Sequence, residues 1–391
     1  MAKKRERICQ HFQGRILAGE LKAGEQLPAQ TELARQFGVS PVTVQRSVES
    51  LARQGFVRTR RRGGTYVAER PPHLCRYGLV FIDTPGNPAT WTLFHSAVAN
   101  EGIRLAKRHG IQLAAYHGVD GHLDGDEYRR LLDDVREGTL GGIILACYPS
   151  MLLQTPLVQD PDLPRVAIMG LPPVAGIPRV FGDVEQLIDR ALDFLAAQGR
   201  KQVAIVASDG MFRHCPGHFL PALHKRGFPA EPWRIQIVDR RPSEAVNHCV
   251  RLLLRSGQKD RPDGVLVLDD NLVEHACAGL VAAGVRVPDD VTVVAQCNFP
   301  WPPPAVLPVE RIGFDVGRML TACIDSINRQ RRGEAVEPWT RIPAVFEEER
   351  RDGDDPSDLS DPSDRSDRPD LGGRRRGARG PKPARGEDTS A

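Results

Sequence analysis

The sequence predicts an α/β multidomain protein. A small helical head closed by a two-stranded hairpin leads into a two-lobed body of doubly wound parallel sheets, and a disordered tail follows. Three observations predict this. Charge is segregated: residues 1–70 hold 14 Lys/Arg against 6 Asp/Glu, although the whole 391-residue chain nets only +3. A basic head on a near-neutral body is the footprint of a polyanion-binding module joined to something with another task. Residues 77–346 alternate β-type apolar runs with helical stretches, the pattern of parallel sheets covered on both faces. Residues 347–391 are low-complexity Ser/Asp and Arg/Gly sequence, which cannot bury a core and should be disordered.

The chain has room for two or three domains, expected at 1–70, 77–346 and the tail, with a linker at 71–76. No apolar run approaches the roughly 18 residues of a membrane span, and the charged N-terminus does not read as a secretory signal, so a cytoplasmic protein is expected. The 8 cysteines stand singly without a CxxC pair, which argues for reduced thiols and against a zinc site. No metal or other cofactor is expected.

In the head, Ile8, Phe12, Ile16 and Leu17 recur at near-helical spacing, and Gly19 and Gly24 end that helix. Pro28 suits a helix start. A second helix over 30–37 puts Leu33, Ala34 and Phe37 on one face, and Gly38 stops it. Ser40 reads as N-cap and Pro41 as the first position of a third helix, which turns Val44, Val48 and Leu51 inward. Gly55 ends it. Runs 56–60 and 65–68 then flank Arg61, Arg62, Gly63 and Gly64, giving a hairpin with a basic tip. This is the layout of a winged helix-turn-helix, which lays one helix in the DNA major groove. The third helix should present Thr43, Gln45, Arg46 and Ser47 to base edges and phosphates. The candidate DNA contacts are Gln30, Thr31, Ser40, Thr43, Gln45, Arg46, Arg60, Arg61, Arg62 and Gly63.

Pro71 and Pro72 predict a short extended spacer. In the body, strands are expected over 77–82, 111–116, 142–146, 165–169, 202–207, 233–238, 264–268 and 291–295. Helices are expected over 92–109, 126–137, 184–198, 218–226, 243–256, 272–283 and 312–332. Ligands of such sheets bind beyond the carboxyl ends of the strands. The strand-following loops offer Asp83, Trp91, Asp183, Arg213, His214, Asp270 and Gln296 as ligand contacts, since carboxylates and amides clamp hydroxyls and an indole stacks on a ring face.

The sequence shows no GxSxG, Walker A, GxGxxG or HExxH pattern. Cys147, Cys215 and Cys297 fall in strand-following loops and His214 adjoins Cys215. Sequence neighbours do not form the spatial pair that nucleophilic catalysis needs, so no enzyme is expected. Cys249, Cys277 and Cys323 fall in helices and read as core.

Residues 5–68 resemble the DNA-binding head of GntR-type bacterial regulators. The resemblance rests on Leu27-Pro28, Glu32-Leu33-Ala34, the FGVS at 37–40, Thr43-Val44, the Leu51-to-Gly55 turn and the GGTYV at 63–67. The family often carries arginine where this chain has Thr31, Pro41 and Gln45. Residues 77–345 resemble the effector core of LacI/GalR-type repressors, a fold shared with periplasmic sugar-binding proteins. Matching stretches are the 261–295 segment, with Asp270, Gly284, Val287, Pro288 and Asp290, then Asp183 with the helix behind it, and PVERIGFDVGRM at 308–319. Where the family commonly has an arginine three residues before a glycine, this chain has His214 before Gly217, with Arg213 one place earlier.

Together the resemblances imply a dimeric, nucleoid-associated bacterial transcription regulator of the repressor type. It would bind double-stranded operator DNA under the control of a small effector, a sugar or related metabolite. An alternative is a regulator whose body only dimerises and takes no ligand. A third reading, an enzyme with a DNA-binding appendage, would need turnover that survives deletion of the head.

Overall fold

A computed structural model describes residues 2–60, 63–87, 89–120, 125–169, 172–241 and 244–353. The head consists of helices α1 (Ala2–Leu17), α2 (Gln30–Phe37) and α3 (Pro41–Arg53), closed by an antiparallel hairpin of β1 (Val57–Arg60) and β2 (Gly64–Val67). Ile8, Phe12, Ile16, Leu33, Val44, Val48, Leu51, Phe56 and Val67 form its core. Gly38 ends α2 in the left-handed region, φ 61°, where its N–H returns to helical carbonyls.

The segment after the hairpin departs from expectation. Pro71 is extended, but 72 onward coils into a helical turn, α4 (Pro72–Cys75), and Pro71, Pro72, His73 and Cys75 are buried. Proline's fixed φ favours the first helical position as much as an extended chain, and here contact with the head and the first lobe decides. The link is packed rather than free: His73 stacks on Phe56 with ring centroids 6.1 Å apart.

The first lobe contains β3 (Arg76–Val80), α5 (Leu93–His109), β4 (Gln112–Tyr116), α6 (Asp126–Arg136), β5 (Ile143–Leu145), α7 (Pro156–Gln159), β6 (Arg165–Ala167) and β7 (Arg179–Gly182). The chain then crosses to the second lobe, with α8 (Val184–Ala197), β8 (Val203–Ser208), α9 (Asp209–Phe212), α10 (Phe219–Lys225), β9 (Ile235–Val238), α11 (Glu244–Leu253), β10 (Gly264–Leu268), α12 (Val273–Ala282), β11 (Thr292–Phe299) and β12 (Glu310–Asp315). It returns through α13 (Val316–Arg331) and β13 (Trp339–Ile342) to the first lobe, and β14 (Val345–Phe346) crosses back. Strand order is β13-β7-β6-β5-β3-β4 in one sheet, all parallel, and β14-β12-β11-β10-β8-β9 in the other, parallel except for β14.

Strand alternation explains why both faces are covered. In β8, Val203, Ile205 and Ala207 join the core beneath α8, whereas Ala204 and Val206 join the core beneath α11 and α12. The expected helix over 312–332 is in fact a strand followed by a helix: Ile312 and Phe314 sit inward on β12, and the helix begins only after Asp315, whose side chain caps it through the Arg318 N–H at 2.8 Å. Strands Arg179–Gly182 and Trp339–Ile342 were not expected; the first alternates half-buried Arg179 and Phe181 with buried Val180 and Gly182, a period the sequence RVFG does not display, and the second is buried only at Ile342. No described helix is long and apolar enough to cross a membrane.

Candidate functional site

Two places gather exposed or convergent polar groups: the solvent face of the head, and a cavity of about 380 Å³ between the lobes. On the head, Ser40 caps α3 by accepting the Thr43 N–H at 3.3 Å, and its hydroxyl lies 2.9 Å from the Thr43 hydroxyl. Thr43 is thus half-buried and tied to the cap. Gln45 and Arg46 are exposed on the next turn, with Gln45 Nε2 donating to Glu49 at 3.0 Å. Val42, 56% exposed, adds an apolar group beside them, of the kind that meets a thymine methyl. Pro41 at the first helical position is the signal that could have placed Val42 outward, two residues before buried Val44. On the wing, Arg60 lies over the Tyr66 ring at 4.9 Å, and the Tyr66 hydroxyl donates to the Gly63 carbonyl at 2.7 Å. Gly64 takes φ 98° with Gln26 packed close, so a side chain there would collide.

The interlobe cavity opens where parallel strands end. The first lobe contributes Ile82, Asp83, Thr92, His95, Cys147, Tyr148, Met169 and Phe181, and the second contributes Ser208, Met211, His214, Arg240, Asp269, Asp270, Asn271, Gln296, Asn298 and Phe314. Asp270 is buried at the floor. Its Oδ2 accepts from Asn298 at 2.7 Å, its Oδ1 from Asn271 at 2.8 Å, and its N–H donates to Gln296 Oε1 at 2.8 Å. Burial and the neighbouring Asp269 carboxylate push its pKa well above the usual carboxylate range. Asn271 also donates to Asp269 at 2.7 Å, while its carbonyl accepts the Leu93 N–H at 3.0 Å, joining the second lobe to the first turn of α5. His95 accepts the Thr92 N–H on Nδ1, and burial lowers its pKa. His214 stacks on Phe181 with centroids 4.5 Å apart; burial first, and Arg179 second, bring its pKa down to about 4.

Comparison with known proteins agrees with this architecture in both parts. Residues 4–67 match the model of the bacterial regulatory proteins of the gntR family, and residues 192–342 that of the periplasmic binding protein-like domain. The chain carries a GntR-type head on a periplasmic-binding-protein-like body. An uncharacterized helix-turn-helix transcriptional regulator of Bacillus subtilis, YhcF, is 43% identical over 56 residues, 14% of this chain and 46% of that protein. The chain therefore spans less than half the length of that relative, and the likeness is confined to the head. The arabinose metabolism transcriptional repressor of Halalkalibacterium halodurans is 20% identical over 352 residues, covering 84% of this chain and 91% of that one. A LacI family transcriptional regulator of Lactobacillus casei, solved with bound glucose, aligns with TM-score 0.51 and 20% identity, over 69% of this chain and 97% of that one.

Within the GntR-type head, Gln30, Thr31, Ser40, Gln45, Arg46 and Arg60 are exposed and Gly63 is half-exposed. Arg61 and Arg62 lie outside the described residues. Ser47 is a correction: it is fully buried, donating to the Thr43 carbonyl at 2.9 Å, because it stands one turn after Thr43 on the face that packs against α1. In the body, Asp83, His214, Asp270 and Gln296 come together at the cavity. Trp91, Asp183 and Arg213 do not line it. The Trp91 indole donates to Ser96 at 2.8 Å and packs among Phe81, His95 and His117, behind the wall. Asp183 caps α8 through the Gln186 N–H at 3.1 Å and faces Arg341. Arg213 points to solvent and pairs with Asp209 at 2.7 Å. Gln296 was expected on a loop but stands on β11, which runs four residues further than expected, and its amide supports Asp270. Asn298 was missed; its signal is alternation along 296–299, amides on one face, Cys297 and Phe299 on the other. Thr92 and His95 were missed although their signal is local, a capping box at the start of α5, whereas Asn271 was missed because its bond to the Leu93 N–H crosses between the lobes. The cysteines do not form a reactive set: burial pushes Cys147 and Cys215 up to about 12, and Cys297 lies on a strand, fully buried.

Proposed function

We propose that the chain is a homodimeric transcription regulator of the repressor type, which binds operator DNA through its GntR-type head under control of a small ligand held between the lobes. The observation that carries this reading is the coexistence of an outward-facing α3 and an interlobe cavity floored by a buried carboxylate, in one chain joined by a packed link. Gln45 and Arg46 supply base and phosphate donors, Val42 an apolar contact, and Arg58 and Arg60 the electrostatic affinity of the wing. Two heads on a dimer would read pseudo-palindromic half-sites. The relatives' names support a sugar or related metabolite as effector, and the polar floor of Asp270, Asn271 and Asn298 suits a hydroxylated ligand.

In vitro selection of DNA bound by the purified full chain at low salt tests the head; recovery of a two-fold symmetric motif is expected. Selection of no motif would remove sequence-specific binding from this reading. A thermal-shift screen of monosaccharides and related metabolites tests the cavity. If no compound stabilises the fold while the dimer still binds DNA, the body serves dimerisation alone.

A further inference from the structure

The interlobe cavity gathers three carboxyl groups, and the described residues supply no ion-pair partner for them. Asp83 approaches from the first lobe, Asp269 and Asp270 from the second. Among the described residues, none of the three is paired with a Lys, Arg or His; Asp270, 3% exposed, is held by the neutral amides of Asn271 and Asn298. Among the described lining side chains, the only guanidinium is that of Arg240, which is exposed. Burial depresses the two lining imidazoles, His95 and His214, and so favours their neutral forms. Much of the remaining wall is soft and apolar, with Met151, Met169, Met211, Phe181 and Phe314, beside the hydroxyls of Thr92, Tyr148 and Ser208.

A buried carboxylate without a cation is costly, and the cost is relieved when a ligand supplies the charge. The cleft between the two lobes makes this a site; the carboxyl groups on its floor set what the site takes. Resting on the reading of this cavity as the effector site, we propose that it selects small ligands bearing a protonated nitrogen on a compact body, over neutral hydroxyl counterparts of the same shape. The ammonium would sit on Asp270 and Asp269, with the ligand's carbon face against the methionines and phenylalanines. Burial and Asp269 raise the pKa of Asp270, so this carboxyl holds its proton in the empty cavity and ionises when a cation arrives.

Isothermal titration calorimetry of the full chain at neutral pH and low salt, with matched probe pairs, tests this: glucosamine against glucose, and phenethylamine against 2-phenylethanol. The amine should bind at least about tenfold more tightly in one pair, with that preference lost in Asp270→Asn and reduced in Asp83→Asn. Asp83 lies half-exposed on the opposite wall, so Asp83→Asn keeps the test open if Asp270→Asn does not fold. Equal or tighter binding of the neutral members would overturn the amine selectivity and leave the effector cavity standing. Absence of binding by all four probes to folded protein would count against both.

Discussion

Asp134 is the residue at which the link is fixed to the first lobe. The Arg76 guanidinium, one residue past α4, grips both of its oxygens at 3.1 Å; the Thr139 hydroxyl donates at 2.8 Å, and the Tyr116 hydroxyl donates as well. Burial by itself would raise the pKa of this carboxyl, but these donors outweigh burial and hold it below the ordinary value. Because the folded-state pKa is depressed, the stabilisation is fully present above the unfolded value of about 4 and is lost as pH falls through the folded value. Asp134→Asn should cost about 2 kcal/mol at neutral pH and flatten the loss of stability on acidification, as read by urea denaturation across that range. At the head, Arg46→Ala should lower affinity for the selected operator by about 1–3 kcal/mol and relax the motif at one position. Arg60→Ala should weaken all sequences alike and reduce the salt slope by about 1. Titrations at several salt concentrations separate the two; an Arg60→Ala variant with unchanged slope would take that residue out of the interface.

The elements show which forces act locally and which do not. Helix α3 is specified by its own sequence: Ser40 caps it, Pro41 opens it, and Val44, Val48 and Leu51 set its inner face. Ser40→Ala should cost about 1 kcal/mol of head stability, measured by thermal denaturation, with weaker DNA binding because α3 frays where it meets the groove. The head and most of the sheets were legible for this reason, since hydrophobic period and capping chemistry are local. The 312–332 region was misread because Ile312, Phe314, Val316, Met319 and Leu320 satisfy a helical stripe and a strand equally; pairing of β12 with β11 decides between them. The 71–76 link was misread because the contacts that coil it lie in the head and the first lobe. Of the cavity, Asp270 and His214 were legible from loop position. His95 was not, although its capping bond with Thr92 is local, and Asn271 was not, since its bond to the Leu93 N–H forms only where the lobes close on each other. That closure is tight: a side chain at Gly182, on β7 of the first lobe, would collide with the Phe314 ring on β12 of the second. Gly182→Ala should destabilise the body by about 1–3 kcal/mol and lower affinity for any cavity ligand; calorimetry showing undiminished binding would place lobe closure elsewhere.

At the scale of the molecule, the head sits on the first lobe through a small polar contact. Gln13 donates to Gln54 at 2.9 Å, and Gln54 donates to Glu137 at 3.0 Å, just beyond the end of α6. Leu17 packs beside Gly138. A ligand that drew the lobes together would act on the first lobe through α5, whose first N–H is already held by Asn271, and the packed link and the α6 contact would pass that shift to the head. Such coupling is reciprocal and typically amounts to about 1–3 kcal/mol. The central claim is that cavity and head are thermodynamically linked. The direct measurement is fluorescence anisotropy of the selected operator titrated with full-length protein, without ligand and with the ligand that most stabilises the fold. The account predicts a change in operator affinity of about 5- to 150-fold, abolished in Asp270→Asn and reduced in Asp83→Asn. An affinity that stays constant while calorimetry shows the cavity filled would contradict it.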